Sequence, residues 1–476
     1  MGRRMRAWAA LSLDAKVVAA VAFGNWLLLF ANHTVIQVTR DAPLWQLFPG
    51  PWGAAWLLAC GLIALAYPLR DHRLGSGFTV RARVAHLAAI VALFVVIPTI
   101  AAIVLRETGK PYTYVHDGAI MVEEAARKLL AGQDPYVADY LDTPLFYWPM
   151  INNPALYHLT YFPALYLVTL PFIAVFDRLH VFFDERYLYL PAYVATLAVV
   201  PLLVPSLADR TRTAAYRLSL GAIVALDPQL FPFVVEGRND FFVLLFLFAG
   251  IALLQRGRRT LAVLAIAVAA ASKLHAGVLL PFLIAYLVWS EGGTPRQAAR
   301  RLARAGWAGA LLMALAFAPF LIGNFGAFWD DIVAYNAGGA AWSYPISGMG
   351  FSAILRTVGV ISYPQQDFPF WVFQLGAAVP LGIASLRLLR RDPSIPTMLG
   401  GYAVTLLAFL FFGRYFQGNY LGFIVAVAAP VPFMRPELAP ALAALLRRER
   451  TVTAAAPVGA VMAPVTITSE TGDPTL

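Results

Sequence analysis

The chain carries little charge and almost no cysteine. Of its 476 residues, 13% are charged and 60% are hydrophobic, and the single cysteine, Cys60, stands within an apolar run. One cysteine excludes an intrachain disulfide and a thiolate metal site. A charged fraction this low, combined with long apolar runs, excludes a soluble globular core and predicts a polytopic membrane protein.

Motifs for nucleotide and metal chemistry are lacking as well. The sequence contains no Walker loop, no GxGxxG followed by a ribose-binding acid, no HExxH and no paired-histidine metal spacing. The acids between residues 106 and 156 form neither DxD nor a tight metal pair. We therefore expect no metal and no cofactor. If a sugar is transferred, its donor is expected to be lipid-linked, because nothing here indicates a nucleotide held through Mg²⁺.

The net charge of +10 does not predict nucleic-acid binding, because the basic residues concentrate in short turns between apolar runs. These clusters are MGRRMR, the arginines at 70, 73, 81 and 83, those at 210, 212 and 217, QRGRR, TPRQAARRLAR, RLLRR, and Arg435 with RRER. Basic loops stay on the cytoplasmic side of a membrane. The pattern predicts a multi-pass protein of the plasma (inner) membrane with both termini in the cytoplasm.

Thirteen apolar runs predict an all-α fold with about 12 transmembrane helices, between 11 and 13. Their continuity excludes a β-barrel, whose strands alternate. We expect two membrane helices in residues 1–83, a membrane catalytic domain in 84–434 and a mostly disordered cytoplasmic tail in 435–476. Two cytoplasmic termini require an even number of crossings. Either one run within 157–208 is therefore not a full span, or the arginines at 209–217 break the charge rule.

The loop 106–156 is the longest polar segment between apolar runs and carries the principal candidate, Asp117. After His116 and Asp117 the spacing predicts an amphipathic helix lying on the membrane surface, with Ile120 on its apolar side and Glu123 on its polar side. A carboxylate held at the bilayer face indicates chemistry on a lipid-borne substrate. The structural alternative is an ordinary helix-capping aspartate.

Three shorter polar turns lie opposite the basic loops and carry cations. They contain Arg238 with Asn239 and Asp240, Lys273 with His275, and Arg414 with Tyr415 and Tyr420. Arginine forks bind phosphate well. Each turn also has a structural explanation: an interfacial ion pair, a snorkelling lysine, and an aromatic belt with one basic anchor. Trp148 and His158, which flank the return of the loop to the membrane, are weaker candidates, and Trp148 is equally explained as an interface residue.

The ordered set of these segments resembles the GT-C superfamily of integral-membrane glycosyltransferases. The segments are YVHDGAIMVEEAARKLLAGQDPYVADY, NNPALYHLTYFPALYLVTLPF, DPQLFPFVVEGRNDFF, LAVLAIAVAAASKLH and an aromatic-basic turn near the end. The likeness covers about residues 84–434 and is greatest to the bacterial polyprenol-phosphate-mannose-dependent branch, family 87. Two features depart from it. The catalytic loop follows the third apolar run rather than the first, and the Tyr-Pro-Pro re-entry is reduced to Tyr161-Phe162-Pro163.

The resemblance implies a sugar, with mannose favoured, moved from a polyprenyl-phosphate donor to a lipid or glycan acceptor at the external face, with inversion. Asp117 takes the role of general base. Arg238, Lys273, Arg414 and His275 are expected to hold the donor phosphate, with the first three converging within roughly 8 Å of one point. Contacts to donor or acceptor sugar are expected from His116, Glu123, Trp148, His158, Asn239, Asp240, Tyr415 and Tyr420.

Two other classes of function remain open from the residues. A transporter or lipid-linked-glycan flippase fits the broken helices and the charged groups near Lys273, although transporters place such groups at the midplane. A non-catalytic assembly protein leaves the coincidence of acidic loop and basic turns unexplained. The expected partners are the bilayer, the lipid-linked donor and a membrane-associated acceptor, without nucleic acid.

Overall fold

A computed structural model describes residues 8–31, 37–39, 42–43, 47–48, 51–150 and 153–435. The predicted fold class is confirmed: the structure is 74% helical with almost no strands. The compact unit comprises Met1–Met434. The first basic cluster, residues 1–6, and the predicted tail, apart from Arg435, lie outside the described residues.

The helices follow one another with short connections, except around three longer loops. In chain order they are α1 (Leu13–Val18, a π turn Ala19–Phe23, then Gly24–Ala31), α2 (Pro51–Gly77), α3 (Val80–Thr108), α4 (Asp117–Leu130), α5 (Pro163–Arg178), α6 (Arg186–Leu203), α7 (Arg210–Ala225), α8 (Phe231–Glu236), α9 (Asp240–Gln255), α10 (Arg259–Ser272), α11 (Leu274–Trp289), α12 (Pro295–Gly323), α13 (Phe325–Trp329, a π turn Asp330–Ala334, then Tyr335–Ala337), α14 (Phe351–Thr357), α15 (Phe370–Arg391), α16 (Ile395–Phe411) and α17 (Gly418–Met434). Single 3₁₀ turns form at Pro144–Tyr147 and Pro154–Leu156.

Five helices of the described chain are long and apolar enough to cross a membrane: α2, α3, α6, α12 and α15. Five more apolar helices, α9, α10, α11, α16 and α17, are shorter. Large apolar side chains point outward from the long helices, among them Leu315 and Ile322 on α12 and Leu375 on α15. Apolar residues on an outer helix surface are expected where lipid replaces water. The number of crossings stays a prediction.

Strands are few and short in the described residues. Gln37–Thr39 (β1) pairs antiparallel with Ala42–Pro43 (β2). Ser347–Gly348 (β3) pairs in parallel with Tyr415–Phe416 (β4), with Ser347 opposite Tyr415. This second pair ties the long loop after α12 to the turn between α16 and α17.

The basic turns are connected at one end of the helix bundle. Arg83 on α3 bonds Asp14 on α1 at 2.7 Å and also pairs with Asp71 on α2. At the basic QRGRR turn, the side chain of Gln255 at the end of α9 donates to the carbonyl of Leu203 at the end of α6, at 3.0 Å. The opposite end, which we call the loop end, carries residues 109–150, 153–162, 324–369 and 412–417 together with the turns at 237–239 and 273.

Helix α5 does not cross from one end of the bundle to the other. Tyr161, just before α5, contacts Gly118 at the start of α4, and Asp177, near the end of α5, pairs with Arg127 near the end of α4 at 3.3 Å. The two helices therefore lie side by side in the same direction, and both ends of α5 are at the loop end. Of the two runs in 157–208, we therefore expect only α6 to cross the membrane, which would remove the parity conflict.

Cysteine labelling tests this arrangement. In a Cys60→Ala background we expect single cysteines at Lys110 and Leu179 to be labelled from the same side of the membrane, because α5 returns to the end where it began. A cysteine at Arg258 should be labelled only from the opposite side. Opposite accessibility of positions 110 and 179 would show that α5 spans the bilayer.

Candidate active site

The start of α4 is fixed by the residue before it. His116 is the N-cap, its Nδ1 lies 3.0 Å from the amide nitrogen of Gly118, and its own amide donates to the carbonyl of Glu236 at 2.8 Å. Asp117 is therefore the first helical residue rather than the cap, and it is 9% exposed. A carboxylate in this position benefits from the positive end of the helix dipole.

Tyr161 closes over this helix start. A Cβ placed on Gly118 would collide with the hydroxyl oxygen of Tyr161, so only glycine allows the ring to sit there. Burial and the nearby carboxylate of Asp117 raise the pKa of this hydroxyl. Tyr161 is thus a close neighbour of Asp117. The sequence placed it in the re-entry motif but did not assign it to the site.

The charge of Asp117 is set by opposing effects. Burial alone would raise the pKa of its carboxyl, but His116 and Arg238 together lower the pKa below its ordinary value. The Nδ1 atom of His116 lies 2.7 Å from Oδ1 of Asp117. The carboxylate is consequently ionised at neutral pH and able to accept a proton.

Arg238 is presented by a tight turn. Gly237, with φ of 83°, ends α8 in the left-handed conformation that favours glycine. The Arg238 Nε donates to Glu236 at 3.0 Å and Nη1 donates to Oδ1 of Asn419 at 3.2 Å, while the guanidinium lies 4.1 Å from the ring centre of Phe233. Its Nη2 makes no hydrogen bond to any residue that the structure describes, and 21% of the side chain is exposed. One edge of the fork therefore remains available to a ligand.

Lys273 joins Arg238 through shared polar partners. Its Nζ donates to Asp240 at 2.6 Å and to Asn239 at 3.1 Å. Asn419 donates to the other oxygen of Asp240 at 3.0 Å and accepts from Arg238. This Arg238–Lys273 chain unites the α8–α9 turn, the end of α10 and the start of α17. It brings together four predicted side chains with Asn419, which the sequence analysis did not assign.

His275 lies beside this chain but is not part of it. Its ring packs edge-on against Tyr420 with 4.6 Å between the ring centres, and its carbonyl accepts from Tyr402 at 2.7 Å. Its Nδ1 is buried without a hydrogen-bond partner in the part of the chain that the structure describes.

Arg414 is placed differently from the other two cations. Its Nε donates to the carbonyl of Tyr344 at 2.7 Å, and its two terminal nitrogens lie 3.4 Å from the carbonyls of Gln366 and Pro364. Within the described chain, no contact links this buried guanidinium to Arg238 or Lys273. Arg414 holds the loops at 344 and 364–366 in place, and its convergence with Arg238 and Lys273 stays a prediction.

Five tyrosines surround the space next to Asp117, and we call them the tyrosine cluster: Tyr161, Tyr335, Tyr344, Tyr415 and Tyr420. The rings of Tyr344 and Tyr415 are 4.7 Å apart and those of Tyr415 and Tyr420 are 6.0 Å apart. Burial is the main cause that raises the pKa of Tyr335, with Asp117 among its neighbours. The sequence predicted only Tyr415 and Tyr420. The density of tyrosine in the polar loops was the available signal for the others.

Two further predicted sugar contacts are engaged in holding α4. Both oxygens of Glu123, which is 2% exposed, bind Arg106 at 2.8 and 2.7 Å, and one also accepts the amide of Glu185 at 2.9 Å. Trp148 donates to the carbonyl of Val115 at 3.0 Å and lies edge-on to His116. The acidic face of α4, predicted to be solvated, is thus turned into a buried ion-pair network.

His158 binds α13 and the loop that follows it. Its Nδ1 lies 2.7 Å from Oδ1 of Asp331 and its Nε2 lies 2.5 Å from the carbonyl oxygen of Ala341. Although His158, Asp330 and Asp331 are close enough to hold a metal ion, both ring nitrogens face acceptors. This geometry favours a doubly protonated imidazole, which has no lone pair for a metal. The contact therefore acts as a charged latch between residue 158 and residues 331–341.

The latch predicts a pH dependence. Burial lowers the pKa of His158, but the bonds to Asp331 and Ala341 raise it overall above the ordinary 6.5. The contribution of protonated His158 is therefore complete below pH 6.5 and is lost as pH rises through its higher folded-state pKa. Burial also raises the pKa of Asp331 to about 6, so the partner carboxylate is mostly ionised only above that pH. We expect amide exchange in residues 331–341, corrected for intrinsic rate, to accelerate between pH 6 and pH 8.5. The same scan on His158→Gln should be flat, and an equal pH response in that variant would contradict the latch.

Comparison with known proteins gives one result that bears on identity. A sequence model of glycosyltransferase family 87 matches residues 159–413, while a search of curated proteins finds no match. The matched segment includes Arg238 and Lys273, begins after Asp117 and ends just before Arg414. It is shorter than the likeness over 84–434 and leaves α4 to be argued from geometry. Since the match covers more than half of the 476 residues, this chain belongs to glycosyltransferase family 87, and its apolar helices make it a membrane glycosyltransferase.

Proposed function

We propose that this enzyme moves a hexose, with mannose favoured, from a polyprenyl-phosphate donor to a lipid or glycan acceptor at the loop end, with inversion at the anomeric carbon. The proposal rests on one observation: an ionised Asp117 and the open edge of Arg238 lie close together beside the tyrosine cluster. These are the two groups that a direct displacement needs. Asp117 is the base and Arg238 the anion-binding group.

In the proposed reaction, Asp117 takes the proton from the acceptor hydroxyl as that oxygen bonds to the anomeric carbon. A general base must lie within about 3 Å of the proton it removes. Tyr161, held against Gly118, restricts how the acceptor can approach the carboxylate. Attack on the face opposite the leaving group inverts the anomeric configuration.

The leaving group is the polyprenyl phosphate, which gains negative charge as the sugar–oxygen bond breaks. Arg238 and Lys273 are fixed in advance by Glu236, Asn419 and Asp240, so they meet this charge without reorganisation. The positive charges of Arg238 and Lys273 are balanced by the carboxylates of Glu236 and Asp240. The phosphate therefore relies on the unpaired Nη2 edge of Arg238 and on the third proton of Lys273.

A lipid-linked donor is favoured over a nucleotide for reasons within the chain. The sequence has no motif for a nucleotide or its Mg²⁺, and the proposed site lies where apolar helices meet polar loops, which suits a phosphate carrying an isoprenoid tail. Mannose is favoured through the resemblance to the polyprenol-phosphate-mannose branch.

The test is donor choice. Purified protein in liposomes supplied with a membrane-glycan extract should transfer radiolabelled mannose from polyprenyl-phosphate-mannose to that glycan, and should transfer none from GDP-mannose or UDP-glucose. NMR of the product should give the anomeric configuration opposite to that of the donor. Efficient transfer from a nucleotide sugar in polyprenyl-free liposomes, or retention of configuration, would overturn the proposal.

A further inference from the structure

A cavity of about 410 Å³ opens at the loop end beside the proposed site, and neither the family match nor the mechanism uses it. Residues lining it include Pro154, Trp342, Ser343, Gln365, Asp367 and Arg414. The volume falls within the range of small-molecule sites, about 300 to 1,000 Å³. Its walls come from four separate segments, so it depends on the folded arrangement of the loops.

Exposed aromatic surface marks one wall. Trp342 is 58% exposed and stacks on Tyr157, which is 41% exposed, with ring centres 5.7 Å apart and an angle of 22° between the planes. Trp342 also has a φ of 59°, a conformation that non-glycine residues rarely adopt. Strain of this kind persists where surrounding structure enforces it, and it concentrates at binding sites.

The opposite wall is polar and close to neutral. Arg414 is turned toward backbone carbonyls and Asp367 is its nearest acidic neighbour. Gln365 and Asp367 are exposed and make no hydrogen bond with other described residues. An anion-binding site would leave the guanidinium edge open, whereas here it is occupied. Open amide and carboxylate groups facing an aromatic platform suit a neutral polyhydroxyl ring with one apolar face.

The cavity is also linked to the tyrosine cluster. Arg414 bonds the carbonyl of Tyr344, whose ring packs against Tyr415. Ser343, on the cavity wall, directly precedes Tyr344 in the chain. The cavity wall and the tyrosine cluster therefore share Arg414 and the segment at residues 343–344 as support.

We propose that this cavity is a binding subsite for a neutral hexose unit of the acceptor glycan, with Trp342 as its stacking platform and Asp367 and Gln365 as its hydrogen-bonding groups. Only the assignment of this hexose unit to the acceptor rests on the proposed glycosyl transfer. Saccharide binding at Trp342 is a separate property that does not require turnover.

The first experiment measures binding without catalysis. In the Asp117→Asn protein, mannotriose, maltotriose and inorganic phosphate are titrated while the accessibility of tryptophan to iodide is followed. We expect at least one trisaccharide to reduce quenching. Because Trp342→Ala removes the reporting ring, its affinity is measured by titration calorimetry and should be about tenfold weaker, the loss of one stacking contact. Trp371→Ala, which removes another exposed tryptophan near the start of α15, should leave binding unchanged. Binding of phosphate alone, or of no saccharide, would overturn the inference even in an active enzyme.

The second experiment measures turnover. Trp342→Ala and Asp367→Asn should raise the acceptor KM about tenfold while kcat and the donor KM stay within about twofold. The reason is that these side chains would bind the acceptor equally in the ground state and in the transition state. Comparing a free trisaccharide with its octyl glycoside distinguishes a soluble from a lipid-linked acceptor, and both should be weakened by Trp342→Ala. A fall in kcat at unchanged acceptor KM would overturn the subsite. Loss of transfer from every polyprenyl-phosphate donor, with saccharide binding intact, would instead contradict the proposed function.

Discussion

Replacing Asp117 with asparagine is expected to reduce sugar transfer by about 10²-fold or more while the protein still inserts and folds. Asparagine keeps the size and much of the hydrogen bonding of the carboxylate but cannot accept a proton at neutral pH. Because Asp117 is already ionised beside His116, the substitution removes the base rather than a titrating acid. Initial rates with a lipid-linked donor, at saturating acceptor, measure the effect.

Glu124→Gln is the matched control for Asp117→Asn. Glu124 lies on the same helix and is also buried. It is paired with Arg127 at 2.7 Å, two helical turns beyond the start of α4 where Asp117 lies beside the tyrosine cluster. We expect this variant to retain most of its transfer rate. If Asp117→Asn kept most activity and Glu124→Gln lost it, the base would be misassigned.

Arg238→Ala is expected to lower the transfer rate by about 10²- to 10³-fold, the loss typical of removing one group that stabilises transition-state charge. Arg238→Lys should recover only part of this, because lysine keeps the charge but loses the planar fork that reaches Glu236 and the ligand at once. Single-turnover rates separate the chemical step from donor binding.

Arg127→Ala serves as the control for Arg238→Ala. This arginine also pairs with carboxylates at the loop end, Glu124 and Asp177, but is more exposed. Its loss should leave single-turnover rates near those of the unchanged protein. Equal losses in both variants, accompanied by a matching fall in thermal stability, would show that Arg238 is structural.

The helices were predictable from the sequence because long apolar runs have one stable form in a membrane. The same runs could not distinguish α5 from a span. Its composition is as apolar as that of α6, and only the contacts of Tyr161 and Asp177 with α4 show that both of its ends meet the same helix. Hydropathy reports which surroundings a segment tolerates, not which neighbours it has.

The polar residues divide in a similar way. The helix start at Asp117 could be predicted from local spacing. The burial of Glu123 could not, because it depends on an ion pair with Arg106, which is distant in sequence and lies on α3. Arg414 and Arg238 look alike in sequence, as single arginines in polar turns. Backbone carbonyls from residues 344 to 366 satisfy the first, while the second keeps one edge open. Such long-range pairing carries no local sequence signal.

The neighbourhood of Arg238 and Asp117 also sets an order of events during turnover. Against the effect of burial, His116 and Arg238 hold the pKa of Asp117 below its ordinary value in the empty protein. An anionic donor bound at Arg238 would offset that cation and increase the proton affinity of the carboxylate. The acceptor hydroxyl would then be activated only after the donor had arrived, whichever of the two substrates binds first.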